Sequence, residues 1–585
     1  MLSRKAIIYI LLSTLLNLIS NAVFAQNNYH LHIEVSNKSD IKTISKIKYT
    51  KKLSSESFRN KEINKVFMQI YAESYVEAQL DSSQIEGNIK TIFISLNQKY
   101  QWENLRKGNL NQIVINDIDF HEKDFIGKDF NFHNILRIEE SIIQFYENHG
   151  YPFATISLDS IEIKDYRISA AFNLATGPLI HIDTIVLNNF TQIHPKYIYR
   201  LLDIKPGDVY NESKIKRVSH QLASMSFARE AKDFSIAFTP TKASLNLNLE
   251  KQRINMFDGI IGFQPNSGTD NKLVLTGNLR LKLVNSFKRG ELIDINWRSP
   301  QGGSQNLDVN FAYPYLFNSP IGIDYKFKLL KQDSSYLNIR NEPGLSFIIN
   351  GLDYIKVSAN FFSSQTLSTT LVNNKPLNQD VLDLRSSIAK LELNINRLNY
   401  ILNPRKGWWI NISGGYGTKD IIKQHNIDEA FYDSIPLHSK QLELHAHLEY
   451  FIPLFKRQTI RLANASGMLS GDYLLSNELY RIGGFSDLRG FDEESIYAST
   501  YSIFTVEWRL LLERNSYLNV FWNGAYVENN TQNNITYDQP MGFGAGISFQ
   551  TKAGIFALSY ALGRQLGNAI ELNSAKIHFG FMARF

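Results

Sequence analysis

"QLELHAHLEY" (residues 441–450) alternates without a break. Leu442, Leu444, Ala446, Leu448 and Tyr450 fall on one face, and Gln441, Glu443, His445, His447 and Glu449 on the other. Successive side chains of a strand point to opposite faces, so this segment is a strand with one apolar and one polar surface. From about Arg253 to the C-terminus the same grammar recurs, in "KLELNIN", "IDYKFKL" and "IKVSANF", and helical periodicity disappears. Two architectures fit such alternation: a soluble sandwich, and a membrane barrel whose apolar face meets lipid.

Loop lengths choose between them. The alternating half parses into about sixteen strands, within the even-numbered range of bacterial outer-membrane barrels. Tight turns at 287–290, 318–320, 350–353, 514–516 and 552–554 fall at one end of the strands. Long connections at about 368–382, 421–438, 473–499 and 565–574 fall at the other. Short periplasmic turns and long external loops are the barrel arrangement. The sheet must then close, because lipid offers no partner to an unpaired backbone group. In the final "KIHFGFMARF", Ile577, Phe579, Phe581, Ala583 and Phe585 face one way and Lys576, His578, Met582 and Arg584 the other, which sets Phe585 at an interfacial girdle.

The N-terminus explains how such a chain reaches an outer membrane. Arg4 and Lys5 precede an apolar run at 6–16, and Val23 and Ala25 supply small residues for cleavage before Gln26, the layout of a secretory signal. That run is shorter than the ~20 residues a helical span needs, and no later segment is long and apolar enough to serve. The absence of cysteine excludes disulfides and thiolate chemistry. A net charge of +6 on 585 residues, with no Lys/Arg block, argues against nucleic acid as a partner.

Between signal and barrel the chain repeats. In "FMQIYAESYVEAQLDSSQI", "IQFYENHGYPFATISLDSI" and "HQLASMSFAREAKDFSIAF" a helical stretch ends near an aromatic and gives way to two strands. The aromatics Tyr75, Tyr151 and Phe227 are equally spaced by 76 residues. Helical spacing precedes each strand pair, as in Ile135, Ile138, Ile142 and Phe145. The expected organisation is a signal peptide at 1–25, three small α+β modules at 26–97, 98–178 and 179–252, and a transmembrane antiparallel β-barrel of about 16 strands at 253–585.

One stretch of the barrel half has no alternation, "RIGGFSDLRGFDEES" (481–495). Three such modules before a barrel of this size, the loop "GGFSDLRGF" and a C-terminal Phe together resemble the BamA/TamA superfamily of outer-membrane assembly proteins, with an architecture like that of TamA. The modules look like its POTRA domains. "NPRKGWWINI" (403–412) is similar to a strand opening found there, and Leu488-Arg489-Gly490-Phe491, preceded by Gly483 and Gly484, matches the family's loop tetrad. The resemblance implies that this loop, which precedes the fifth strand from the C-terminus, folds back into the barrel and that Arg489 reaches an acidic residue of the lumen wall. In "FTVEWRL", Phe504, Val506, Trp508 and Leu510 point to lipid, which turns Glu507 inward. The family usually has a second acid in the next strand. Here "VFWNGAYV" puts Asn523 at that inward position, a neutral acceptor. Phe579, Phe581 and Phe585 would form the C-terminal strand signal.

Other motifs have plainer readings. His445 and His447 sit two apart and could ligate a metal, yet no third ligand lies nearby in the sequence, and polar lining of the lumen accounts for them. "MGFGAGISF" has no following helix to cradle a phosphate, so its glycines relieve crowding or permit curvature. No nucleophile and base are paired, so neither an enzyme nor a cofactor is expected.

The expected function is outer-membrane protein assembly, insertion or translocation at the cell outer membrane, with the modules in the periplasm. Sheet edges of the modules would capture unfolded outer-membrane or secreted client proteins by β-augmentation. The glycine-rich first barrel strand "MFDGIIGF" would pair weakly with the last, making a seam in the lipid bilayer. An inner-membrane or lipoprotein partner could dock on the modules. The alternative is a two-partner-secretion transporter for a dedicated exoprotein, which usually carries a plugging N-terminal helix; no such pattern follows Ala25. A passive porin leaves the modules and the Arg489 loop unexplained.

Overall fold

The alternating residues form one antiparallel sheet whose strands follow one another in chain order. In the computed structural model, residues 29–37, 40–188, 192–265, 273–299, 304–368, 371–372, 375–376, 380–400, 403–485, 487–532, 534–551, 554–568, 570 and 575–583 are described. The signal at 1–25 and Phe585 lie outside them.

The first eight strands are Met256–Pro265, Leu273–Val284, Leu292–Ser299, Gln305–Tyr313, Ile321–Gln332, Tyr336–Asn350, Asp353–Thr366 and Leu384–Asn396. Gly407–Ile421, His438–Phe455, Gln458–Gly471, Thr500–Glu513 and Ser516–Thr531 follow. Asn534–Asp538 and Met541–Gln550 pair with successive parts of Ser516–Thr531, so they are one strand interrupted at Gln539 and Pro540. Gly554–Arg564 and Lys576–Ala583 complete sixteen strands among the described residues. The interior loop therefore precedes the fifth strand from the end, Thr500–Glu513.

Burial follows the alternation. In the tenth strand Leu444, Leu448 and Tyr450 are exposed on the outer face while Gln441 and Glu443 are buried. In the twelfth, Phe504 and Val506 are exposed and Thr505, Glu507 and Arg509 are buried. The connections after Thr366, Ile421, Gly471 and Arg564 are long and share one end, while Asn350 to Asp353, Phe455 to Gln458 and Glu513 to Ser516 are tight at the other. The segregation is not complete, since the step from Gln332 to Tyr336 is tight on the long-loop end.

One expectation is corrected. No ladder joins the first strand, Met256–Pro265, to the last, Lys576–Ala583, among the described residues, and the hydrogen-bonded sheet is open at these two edges. Gly259 and Gly580 deprive the two edges of cross-strand side-chain contacts, the unit of sheet stabilisation.

The modules obey helix and strand rules in turn. In the first, Tyr29–Val35 lies parallel to Ile89–Ser95, with Gln79–Glu86 on the outer edge. The helix Glu56–Ala72 starts where the Ser55 hydroxyl accepts from the Phe58 amide, a side-chain N-cap. It buries Ile63, Val66 and Ile70 on Leu31, Ile92 and Ile94. In the second, Asn131 caps the helix Phe132–Asn148, which lays Ile135, Ile142 and Tyr146 on Trp102 and Phe172. The third has helices Pro195–Leu202 and Val218–Ala223 and strands His181–Asn188, Ala228–Phe238 and Lys242–Lys251. Tyr75, Tyr151 and Phe227 each sit between the last helix and the strand pair of a module.

The chain divides into two compact units. One holds residues up to His181 with 209–213 and 239–242; the other holds most of the third module together with the barrel. Inside this second unit the third module is tied to barrel turns. The His194 amide donates to the Lys288 carbonyl at 2.8 Å and Asn285 Nδ2 to the Gln192 carbonyl at 2.9 Å. Gln221 Nε2 donates to Asn350 Oδ1 at 3.3 Å, Arg200 bonds the Asn318 carbonyl, and the rings of Tyr197 and Tyr315 are 5.5 Å apart.

Candidate functional site: the interior loop and its wall

The loop that leaves the eleventh strand first forms a short ribbon, Tyr480–Ile482 against Ile496–Ala498. Its tip, 483–495, turns on Gly483 and Gly484, whose φ values of +119° and +101° lie in the left-handed region. The tip enters the barrel, and each residue of the tetrad meets a different part of the wall.

Leu488 is fully buried in an apolar cluster with Ile503, Ala525 and Val527 of the twelfth and thirteenth strands. Arg489 NH1 donates to Glu507 Oε2 at 2.9 Å and Nε donates to Asn523 Oδ1 at 3.0 Å. Its guanidinium carbon also lies 3.5 Å from the ring centre of Phe521, a cation on an aromatic face. Gly490 (φ +100°) passes so close to the fifteenth strand that a Cβ there would lie 2.9 Å from the backbone of Leu562 and Gly563. Its amide donates to His578 Nε2 of the last strand at 3.3 Å. Phe491 packs over Gly563.

Gly542 of "MGFGAGISF" and Gly563 of the next strand have a second role here. A side chain on Gly542 would collide with the Arg489 carbonyl, and one on Gly563 with the Gly490 carbonyl. The fourteenth and fifteenth strands thus leave a shallow floor on which the loop backbone lies.

Glu507 is the hub of a buried polar chain that the sequence reading missed. Arg509 Nε donates to its Oε1 at 2.6 Å, and Arg461 NH1 is 4.0 Å from Oε2. Arg461 turns to Glu449, which also holds His447 at 3.2 Å. Arg509 NH1 donates to Asn403 Oδ1 at 3.1 Å, and Asn403 Nδ2 to the Arg514 carbonyl at 3.1 Å. The Asn of "NPRKGWWINI" therefore connects the loop anchor to a turn at the short-connection end. The detectable signal was Arg509 two residues beyond Glu507, hence on the same inward face; Arg461, directly opposite Glu507 in the register, had none.

His445 bonds Glu443 at 2.9 Å, so both histidines are held by neighbouring carboxylates, and among the described residues no group of three metal-capable side chains occurs. Next to the loop a cavity of about 200 Å3 is lined by Arg340, Glu478, Tyr480, Asp487, Glu494 and Tyr501. Asp487 opens onto it and is exposed to its solvent, with the barrel wall around it. Partial desolvation by that wall, with Glu493 and Glu494 nearby, pushes its carboxyl above the usual range.

Above the lumen the long loops build their own core from Leu382, Ile427, Phe431, Tyr432, Ile435 and Leu475. Glu478 anchors it from below, accepting from Lys419 Nζ and Gln441 Nε2 at 2.7 Å each, with Lys419 and Glu478 both almost completely buried.

Comparisons with known proteins agree with this architecture. Outer membrane protein assembly factor BamA of Buchnera aphidicola subsp. Acyrthosiphon pisum is 21% identical over 327 residues, 53% of this chain and 49% of that protein, so the chain spans about half the length of this curated relative. CdiB from Escherichia coli is similar in structure over 90% of this chain and 98% of its own, at 12% identity and a TM-score of 0.53. CdiB from Acinetobacter baumannii is similar over 94% and 100%, at 14% identity and a TM-score of 0.51; at such identities the likeness is one of fold. Residues 285–585, just over half the chain, match the Omp85 superfamily domain, and the chain belongs to that superfamily as an outer-membrane β-barrel preceded by small α+β modules.

Proposed function

We propose that this protein assembles β-rich clients at the outer membrane by strand pairing, without catalytic chemistry and without a cofactor. The observation that carries the reading is the pair of unladdered edges, Met256–Pro265 and Lys576–Ala583. Each edge offers backbone donors and acceptors that an incoming strand can extend. The modules, taken as 26–97, 98–178 and 179–252, supply further edges. Gln79–Glu86 is exposed along its whole length and Thr155–Lys164 along most of its own. Unfolded outer-membrane or secreted proteins are the clients, and an inner-membrane or lipoprotein partner would dock on the modules.

The likeness to CdiB favours a second reading, export of one dedicated protein through the lumen. That route requires the buried pair of Arg489 and Glu507 to part and the loop to leave the lumen, whereas lateral insertion leaves that pair in place. Depletion followed by quantification of the outer-membrane and secreted proteomes separates the two. Loss of many barrel or surface proteins supports assembly, loss of a single secreted protein supports the transporter, and an unchanged proteome refutes both.

A further inference from the structure

The acidic end of the interior loop touches the wall on both sides of the open edges. On the last strand, Lys576 Nζ lies 2.8 Å and 2.9 Å from the two carboxylate oxygens of Asp492. On the opposite side, Glu494 Oε1 accepts from Arg298 NH2 of the third strand at 2.9 Å and from Asn306 Nδ2 of the fourth at 3.1 Å. Arg481, whose Nε donates to the Glu494 carbonyl at 3.2 Å, reaches Gln332 of the fifth strand at 2.6 Å. The two anchors are only two residues apart, so roughly 7 Å of chain joins them.

We infer that residues 492–494 form an internal strap across the seam, with Glu494 as the fixed anchor and the pair of Asp492 and Lys576 as the end that lets go. The inference rests on the lateral-insertion reading above. Admitting one client strand widens the gap by about 4.8 Å, and a hairpin by twice that. A bond of hydrogen-bond length cannot follow, so one anchor has to break.

Their environments decide which. The side chains of Lys576 and Asp492 are 39% and 71% exposed, a pair that water and salt weaken. The Glu494 carboxylate is 21% exposed and holds the buried Asn306 as well as Arg298. Release therefore leaves the last strand held to the loop through the longer tether from Glu494 back to the Gly490 amide on His578, and keeps the third and fourth strands bound to the loop. Asp492 and Lys576 act here as positioning residues for the edge.

The full-length chain lacks cysteine, so pairs placed one in Met256–Pro265 and one in Lys576–Ala583 report seam closure as a rate of disulfide formation. A pair at Leu283 and Ile293, partners in the ladder of the second and third strands, is the control. Lys576→Ala is expected to slow seam cross-linking roughly two- to fivefold, the range of an exposed ion pair, with the control unchanged. High salt should do the same to the parent chain, and the charge swap Lys576→Asp with Asp492→Lys should restore the rate.

An unchanged seam rate in Lys576→Ala, with the heat shift of a folded barrel retained, overturns the strap; so does a swap that folds but leaves the seam as slow as the single variant. Cross-linking is read without clients. A negative proteome experiment thus defeats the function without touching the strap, and an insensitive seam defeats the strap without touching the function.

Discussion

Arg489 and Phe521 are stacked, guanidinium carbon to ring centre 3.5 Å, while the same side chain donates to Glu507 and Asn523. Removing the arginine does not strand Glu507, which keeps Arg509 and Arg461. Arg489→Ala should therefore cost about 2–4 kcal/mol, the loss of charged hydrogen bonds and a buried cation on an aromatic face. Glu507→Gln should cost more, because it leaves three guanidinium groups facing one another. Urea midpoints of the two refolded barrels give the order, and a milder Glu507→Gln would sink this account. Arg489→Lys should recover little, since an ammonium cannot span both acceptors.

Asn523 stands where the family has an acid, and its Nδ2 donates to Thr505 Oγ1 at 2.6 Å. Around it, Arg461, Arg489 and Arg509 outnumber the carboxylates Glu449 and Glu507. Asn523→Asp should therefore fold and raise the urea midpoint despite losing the donor to Thr505. A lowered midpoint would mean that the hydroxyl contact outweighs the added charge pair.

The glycine floor predicts an equivalence. Gly542→Val places atoms where the Arg489 carbonyl now lies, so the loop should undock, as is also expected of Arg489→Ala. Protease nicking within 483–495 is the readout. The double variant should be no more sensitive than either single one, as expected when two changes break the same docking event.

Lys419 and Glu478 tie the long-loop core to the wall. Replacing either alone leaves a buried charge and should cost ~3–5 kcal/mol, seen as surface-loop proteolysis in intact cells. Lys419→Met combined with Glu478→Gln should recover most of the loss. If the double variant is as labile as the singles, the bonds of Lys419 to the Tyr473 carbonyl and of Glu478 to Gln441, and not the charge pair, hold the core in place.

The raised carboxyl of Asp487 sets a pH direction. A folded-state value above the unfolded one means that the docked loop binds the proton more tightly, so docking strengthens as pH falls through the folded value and weakens as pH rises past it. Asp487→Asn should firm the loop at neutral pH and flatten this dependence. Thermal melts at pH 5 and pH 8 check both, and a variant with the parent's pH slope would exclude Asp487 as the source.

Local pattern carried the reading a long way where the chemistry is local. Strand period placed Glu507 and Asn523 on the inward face and Phe504, Val506, Phe579 and Ile577 outward, and the structure puts Phe579 and Ile577 among the exposed apolar residues. The contacts of Arg489 with Glu507 and Asn523 needed the family resemblance as well, because no spacing rule connects residues 18 and 34 positions apart. What escaped was long-range and polar. Glu494 meets Arg298 at a separation of 196 residues, and Asp492 meets Lys576 at 84. The role of Gly542 and Gly563 escaped for a related reason: a glycine records that something approaches, and the sequence does not say what. The expected pairing of the first and last strands failed because alternation predicts a strand and is silent on its neighbour.

The ties between the third module and the barrel turns bear on how the chain can be taken apart. His194 on Lys288, Gln221 on Asn350 and Tyr197 beside Tyr315 belong to one contact unit. A truncation at 252 would bare those turns to solvent, and a deletion of 179–252 would test the wounded barrel together with the missing module. Loss of function in such a strain says nothing specific about client capture. The informative genetic cut is the one that removes the first two modules and leaves the third in its seat.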